Sequence, residues 1–501
     1  MENRNNLNLK SLWLMRRIMF LFVITCLAMG AYALQRKEYV VVAGKSVLGD
    51  MEWLNVAELL QKRHKAALIF YKDSLEEILP ALQAMTPRYV AIVEKPEMLN
   101  RDYVIRMNQL SRKVDTDIYE DFLWGIITGY DAKGACRMVE DASAPLIVKE
   151  AISTISELSS AKWFDKYAWI DDHEKGVWGE KRGRKTAVER HTIAPEKMLE
   201  KFYSMYTVGQ PDLVVTASHA TEQNLEMPYS AGNIRPDSGR LYADTKENRL
   251  YFPMETKRKV YLPIGNCLIA NIDNKPESMA IGWMNNARAS AMVGYVVSTW
   301  FGRGGWGVLK YWLTRSGSLT LAEALYLNRK DILYQIQRYD PKMSLLNFPY
   351  EMAEKFPECL NMAAQRIVKE TSVENPSIDQ IGLLYDRDVV VYYGDPKWDV
   401  RLRQLPDEVD KLKVECSIRK HKCILKVHTS ADFTMEWLEG EHFKEEHVNP
   451  LPFGYFFPRP LENARLASGQ NWNALIDQNC ILIYQPDFKP GKNYTIELEF
   501  D

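Results

Sequence analysis

Short apolar runs alternate with amphipathic stretches through most of the chain, and strict polar–apolar alternation marks its end. Tyr39–Ala43, Ala67–Tyr71, Tyr89–Val93 and Phe122–Ile127 have strand length, with helix-period segments at Val56–Gln61 and Leu75–Met85 between them. Buried strands separated by helices predict a mostly parallel α/β sheet, because parallel neighbours need crossover connections. The pattern then predicts a long amphipathic helix over Pro145–Leu158. A second α/β block follows, with strands at Leu213–Ala217, Val260–Ile264 and Val293–Thr299. Its helices are expected at Gly307–Leu313, Leu319–Gln337 and Glu351–Lys369. After Asp395-Pro396 the period changes to two: Leu412, Val414, Cys416 and Ile418 alternate with charged or polar residues, as do Tyr494, Ile496, Leu498 and Phe500. That alternation predicts a small β-sandwich with wet outer faces. The expected units are residues 34–158, 159–396 and 397–501, preceded by a separate N-terminal segment, 1–33.

Lys10, Arg16 and Arg17 precede an apolar run from Ile18 to Leu34 that ends in Ala31-Tyr32-Ala33. A basic stretch, an apolar core and an A-x-A step read as a secretory signal peptide cleaved after Ala33; the alternative is an uncleaved anchor. An exported protein, with no membrane contact after cleavage, is the expectation. A composition of 46% hydrophobic and 26% charged residues is that of a globular chain, and a net charge of -2 gives no reason to expect nucleic acid as a partner. Six cysteines remain beyond the leader, too few for a disulfide framework in a chain of this length. Glu174–His191, rich in Lys and Arg, reads as a solvated loop or a processing site.

Two strands end on reactive side chains. Leu213–Ala217 runs into Ser218-His219, and Val260–Ile264 runs into Gly265-Asn266-Cys267. In α/β sheets the carboxyl ends of strands gather ligands and active sites. If the two strands are neighbours, a thiol and an imidazole face one another, and the imidazolium stabilises a thiolate nucleophile. Each residue alone has a structural reading: a buried small thiol, and a hydrogen-bonded imidazole.

The strand-His, strand-Cys order resembles the catalytic core of the caspase-like peptidases, the gingipain family in particular. Asp117–Tyr130 resembles the acidic, Tyr-bearing segment and strand ahead of that family's catalytic half. Gly294–Trp300 resembles its strand after the cysteine, and Asp386–Pro396 the Gly-Asp-Pro element before its sandwich. The resemblance runs in order from about residue 37 to 400. It implies a caspase-like, mostly parallel sheet flanked by helices in two α/β subdomains, with an immunoglobulin-like β-sandwich behind. It implies a cysteine peptidase acting on polypeptides, with Cys267 as nucleophile and His219 as general base. The backbone N–H groups of Ala220 and Cys267 would form the oxyanion hole. Asp117, Glu120 or Asp121 would orient His219 or line an S1 pocket for a basic P1 residue, or be ordinary surface acids. Trp300 is a candidate pocket wall.

The resemblance calls for no cofactor in the chemistry and allows a structural calcium ion, for which the sequence shows no clear ligand cluster. The family has Gly where Ala220 stands, a small residue where Asn266 stands, and no insertion like that around Gln223–Glu255. An inactive scaffold that binds or assembles is the alternative. Gly302-Arg303-Gly304-Gly305-Trp306-Gly307 matches G-x-G-x-x-G, but Glu323, near the distance for a ribose-binding acid, sits in a helical stretch. These glycines read instead as a flexible rim of the cleft. His442 and His447 flank Glu445 and Glu446 at a spacing that is not a zinc peptidase's.

Overall fold

A computed structural model describes residues 36–501, apart from 353–354 and 441–448. The leader read over 1–33 and the His442–His447 segment lie outside the described residues. No helix among the described residues is long and apolar enough to cross a membrane.

Strands β1 (Tyr39–Gly44), β2 (Ala67–Tyr71), β3 (Tyr89–Val93) and β4 (Leu123–Ile127) pair in parallel in the order β2-β1-β3-β4. Every residue of β1, β3 and β4 is buried, which is why they read as continuous apolar runs rather than alternating ones. The crossover helix α1 (Met51–His64) starts at Asp50, whose carboxylate accepts the Glu52 and Trp53 N–H groups.

The helix expected over Pro145–Leu158 is absent. In its place β5 (Leu146–Val148) and β6 (Glu150–Ser153) form two short strands. Val148, Ala151, Ile152, Ile155 and Leu158 are all buried, so their helix-like spacing reflects burial along two short strands and the turns that follow them. β7 (Lys166–Ile170) follows, and Glu174–His191 is a solvated loop only over residues 182–188. It supplies most of the hairpin β8 (Val177–Lys181) and β9 (Glu189–Thr192), which extends the sheet edge antiparallel. Gly179 has no side chain because a Cβ there would meet the Trp169 indole.

β10 (Leu213–Thr216) leads into a separate five-stranded antiparallel sheet: β11 (Ala220–Thr221), β12 (Asn224–Glu226), β13 (Asn233–Asp237), β14 (Arg240–Asp244) and β15 (Arg249–Tyr251). This sheet accounts for most of the insertion. The chain returns through β16 (Lys259–Pro263) and β17 (Ala289–Tyr295), then helices α2 (Arg303–Thr314), α3 (Leu321–Tyr339) and α4 (Ile378–Asp386). β18 (Val390–Tyr393) re-enters the main sheet, and β19 (Val400–Leu402) pairs with β5.

Among the described residues the main sheet has twelve strands in the order β2-β1-β3-β4-β18-β17-β16-β10-β6-β7-β8-β9. β18 is parallel to β4 and antiparallel to β17, so two parallel halves of opposite direction meet at that seam. A large, mostly parallel sheet flanked by helices therefore runs through both expected units, 34–158 and 159–396.

Among the described residues the C-terminal unit holds two antiparallel sheets. One joins β20 (Leu412–Arg419), β21 (Lys422–Thr429), β23 (Arg465–Leu466) and β26 (Asn493–Glu499); the other joins β22 (Phe453–Phe456), β24 (Ala474–Ile476) and β25 (Cys480–Ile483). Leu425, Phe453, Ile481, Ile483, Ile496 and Leu498 share one core. Strand β25 is buried on both faces: Cys480 and Leu482 join the core of the α/β unit instead. Cys416 and Cys423 are free thiols with sulfurs 3.7 Å apart.

Candidate active site

β10 and β16 are hydrogen-bonded neighbours, parallel and in register, with Leu213 opposite Val260 and Thr216 opposite Pro263. Both chains leave the sheet at the same end, one toward His219 and the other toward Cys267. Gly265 is needed because the exits crowd together: a Cβ there would lie 2.7 Å from the Ala217 Cβ. Close approach at the turn that leaves the strand is its role.

Asn266 is fully buried and braces the two exits. Its Nδ2 donates to the Ser218 carbonyl at 2.8 Å and lies 3.2 Å from the Ser218 Oγ, while its Oδ1 accepts from the Thr216 Oγ1 at 2.6 Å. Ser218 in turn donates to the Glu226 carbonyl at 2.6 Å, tying the braced pair to β12. A small residue at 266 could not span this gap.

The Cys267 thiol is free and half-buried, and its Sγ accepts the Thr299 N–H at 3.2 Å. That donor sits where negative charge would form on sulfur. The next residue, Leu268, holds φ at 58°, a left-handed conformation unusual for a non-glycine, while its N–H bonds the Val297 carbonyl at 2.9 Å. The His219 side chain is exposed and makes no hydrogen bond or ion pair with any described residue.

Ala220 begins β11 in extended backbone, so its Cβ meets no left-handed strain. The Glu226 N–H bonds the His219 carbonyl at 2.9 Å, which makes Ala220, opposite Leu225, a non-hydrogen-bonded position. Its N–H therefore turns away from β12, toward the open edge of the small sheet.

Trp300 follows Thr299 directly and is half-buried in an aromatic group, edge-on to Phe356 at 5.8 Å and to Tyr385 at 5.9 Å. The Tyr385 hydroxyl donates to the Ser298 carbonyl at 2.6 Å. Burial, and after it the Asp386 charge, keeps that phenol protonated far above its usual range. Sequence alone had no means of joining Phe356 and Tyr385 to this wall.

The three acids ahead of β4 are held elsewhere. Glu120 pairs with Arg329 at 3.2 Å, Asp121 accepts the Val114 N–H at 2.9 Å, and Asp117 accepts the Tyr119 N–H at 2.7 Å. β4 stands three strands from β16, about 14 Å across the sheet. The structure does not bring these acids to His219.

The glycine-rich segment opens α2 and is buried rather than a flexible rim. A Cβ on Gly305 would strike the Ile264 carbonyl and one on Gly307 the Asn328 amide, so Gly305 seats the helix against the β16 exit and Gly307 seats it against α3.

For the expected calcium, the described residues offer two groups of donors, Glu157–Asp172–His173 and Glu180–Glu189–His191. Each brings three side chains, one of them an imidazole. Calcium takes six to eight oxygen ligands, so neither set fits it.

No family model matches the chain, and no curated protein matches it. Three solved structures are similar in shape. A chain described as "Structure of Protease" has a TM-score of 0.41 at 10% identity, covering 94% of this chain and 96% of that one. The Arg-specific cysteine proteinase gingipain R (RGPB) has a TM-score of 0.41 at 9% identity, covering 93% and 92%. The complex of Porphyromonas gingivalis RgpB pro- and mature domains has a TM-score of 0.38 at 9% identity, covering 79% and 87%.

Proposed function

We propose that the protein is an exported cysteine endopeptidase of the gingipain-like, caspase-fold kind, with an immunoglobulin-like C-terminal sandwich. The observation that carries this reading is the pairing of β10 with β16, which sends His219 and Cys267 out of one end of one sheet on exits braced by Asn266. His219 takes the thiol proton, and the thiolate attacks the peptide carbonyl. The N–H groups of Ala220 and Cys267 stabilise the oxyanion. His219 then returns the proton to the leaving amine, and water releases the acyl group. No cofactor enters these steps. A basic P1 preference needs a free carboxylate in the pocket, and Asp117, Glu120 and Asp121 are committed to other partners.

One observation favours a second reading, an inactive scaffold: the His219 imidazole has no described partner to orient it. A fluorogenic peptide library separates the two. Hydrolysis by the wild type that disappears in Cys267→Ala and His219→Ala establishes the peptidase and reads out P1. Absence of cleavage by every form, with reductant and calcium present, establishes the scaffold.

A further inference from the structure

A cavity of about 690 Å3 lies between the α/β unit and the C-terminal sheets, a volume that accommodates a small organic molecule. It shares no residue with the Cys267 site. Four cations, Arg88, Arg315, Arg401 and Lys413, and three acids, Glu38, Glu323 and Glu408, line it.

Each acid is already engaged. Glu38 receives Lys397 at 2.9 Å, Glu323 accepts the Thr320 N–H at 2.8 Å and faces Arg401 at 3.8 Å, and Glu408 receives Lys162 at 2.8 Å. Arg401 also pairs with Asp399, and Lys413 with Asp410 at 3.0 Å. Arg88 and Arg315 have no carboxylate partner among the described residues.

Arg88 is only 6% exposed, and its Nε is buried without a hydrogen-bond acceptor. Its guanidinium lies over the Phe456 ring at 5.0 Å and the Tyr89 ring at 5.7 Å. Arg315 donates to a neutral group, the Gly454 carbonyl, at 2.9 Å, and burial lowers its pKa to about 10. A guanidinium withdrawn from water without a counter-charge is costly, and aromatic faces offset part of that cost. Arg88, withdrawn from water, and Arg315, half-buried, stand on one cavity wall without a described carboxylate partner and call for an anion.

We propose that Arg88 and Arg315 anchor a binding site for an organic carboxylate, whose apolar body rests along Tyr89 and Phe456. A guanidinium fork matches a carboxylate in two parallel hydrogen bonds. The aromatic lining suits an apolar body, and the three acids in the same wall disfavour a dianion such as phosphate.

Calorimetry and thermal melting of the full chain test this with three probes: N-acetylphenylalanine, its amide and inorganic phosphate. The carboxylate is expected to bind and raise Tm, the amide to have no effect, and phosphate to bind more weakly than the carboxylate. Arg88→Met and Arg315→Met should each weaken the carboxylate about tenfold or more while melting cooperatively. Arg88→Lys, which keeps the charge and loses the fork, should fall between wild type and Arg88→Met. Equal binding of the amide, tighter binding of phosphate, no response to the carboxylate at millimolar concentration, or unchanged affinity in the variants each overturns the proposal.

Discussion

Three polar contacts converge on the Asn266 amide, one from Thr216 and two to Ser218, and all of the atoms lie on the exits that carry His219 and Cys267. A buried polar group left without its partner costs about 1–3 kcal/mol. Asn266→Ala strands the Ser218 carbonyl and leaves the Thr216 hydroxyl with the Tyr261 hydroxyl alone, at 3.0 Å, so a loss of about 1–3 kcal/mol is expected in urea denaturation. If the brace positions the proposed catalytic pair, kcat should fall more than KM rises; a loss of stability with kcat unchanged would reduce Asn266 to a packing residue. The sequence marked position 266 only as a departure from a small residue. Its partners lie about fifty positions earlier, and nothing local announces a contact of that range. His219 and Cys267 were legible for the opposite reason: each ends a five-residue apolar run, a pattern that is complete within its own segment.

Among the elements, α2 shows how a motif can be real and its first reading wrong. The glycines at 302–307 stand where a nucleotide loop would have them, between strand and helix. Here Gly305 lets the helix touch the end of β16, and Gly307 lets it pack against α3. Gly305→Ala places a methyl group against the Ile264 carbonyl, which cannot swing aside as a side-chain tip could. Overpacking of this kind typically costs about 1–3 kcal/mol, so a lower Tm is expected. Because Ile264 is three residues from Cys267, peptide hydrolysis should weaken with it; full activity at a lowered Tm would show that the exit loop tolerates the shift. The missed strands β5 and β6 share a cause. Val148, Ala151, Ile152, Ile155 and Leu158 repeat at helical intervals, yet Ile and Val lose rotamer freedom in a helix. Partners on both sides, β7 and β10, decide for β6, and neither is visible from residues 145–158 alone.

For the molecule as a whole, the junction between the α/β unit and the C-terminal sheets carries buried charge. Lys330 pairs with Asp477 at 2.7 Å, and the Asp121 carbonyl accepts from Gln478 at 2.9 Å. Burial, then the nearby Asp115, pushes the Asp121 carboxyl up to about 9. A folded-state value raised above the unfolded one favours the protonated form. Its contribution is fully present below the ordinary carboxylate range of about 4, and is lost as pH rises through about 9. Asp121→Asn keeps an acceptor for the Val114 N–H and carries no charge. The variant should therefore gain stability on the wild type progressively across that window, as read by urea denaturation at several pH values; a constant difference would contradict the assignment. Sequence periodicity gave the two α/β blocks and the alternating C-terminal strands, but not that one sheet threads both blocks, because strand order depends on contacts hundreds of residues apart.

The seam in that sheet has a consequence for how the chain folds. Strand β18, at residues 390–393, lies between β4, complete by residue 127, and β17, complete by residue 295. As the chain is made, two half-sheets form early, each with an unpaired inner edge that invites wrong partners. Closing them waits on a four-residue strand from far down the chain, the kind of long-range contact that slows folding. A chain interrupted before Val390 would leave two half-sheets with no strand to join them, held by contacts such as Arg288 with Asp141.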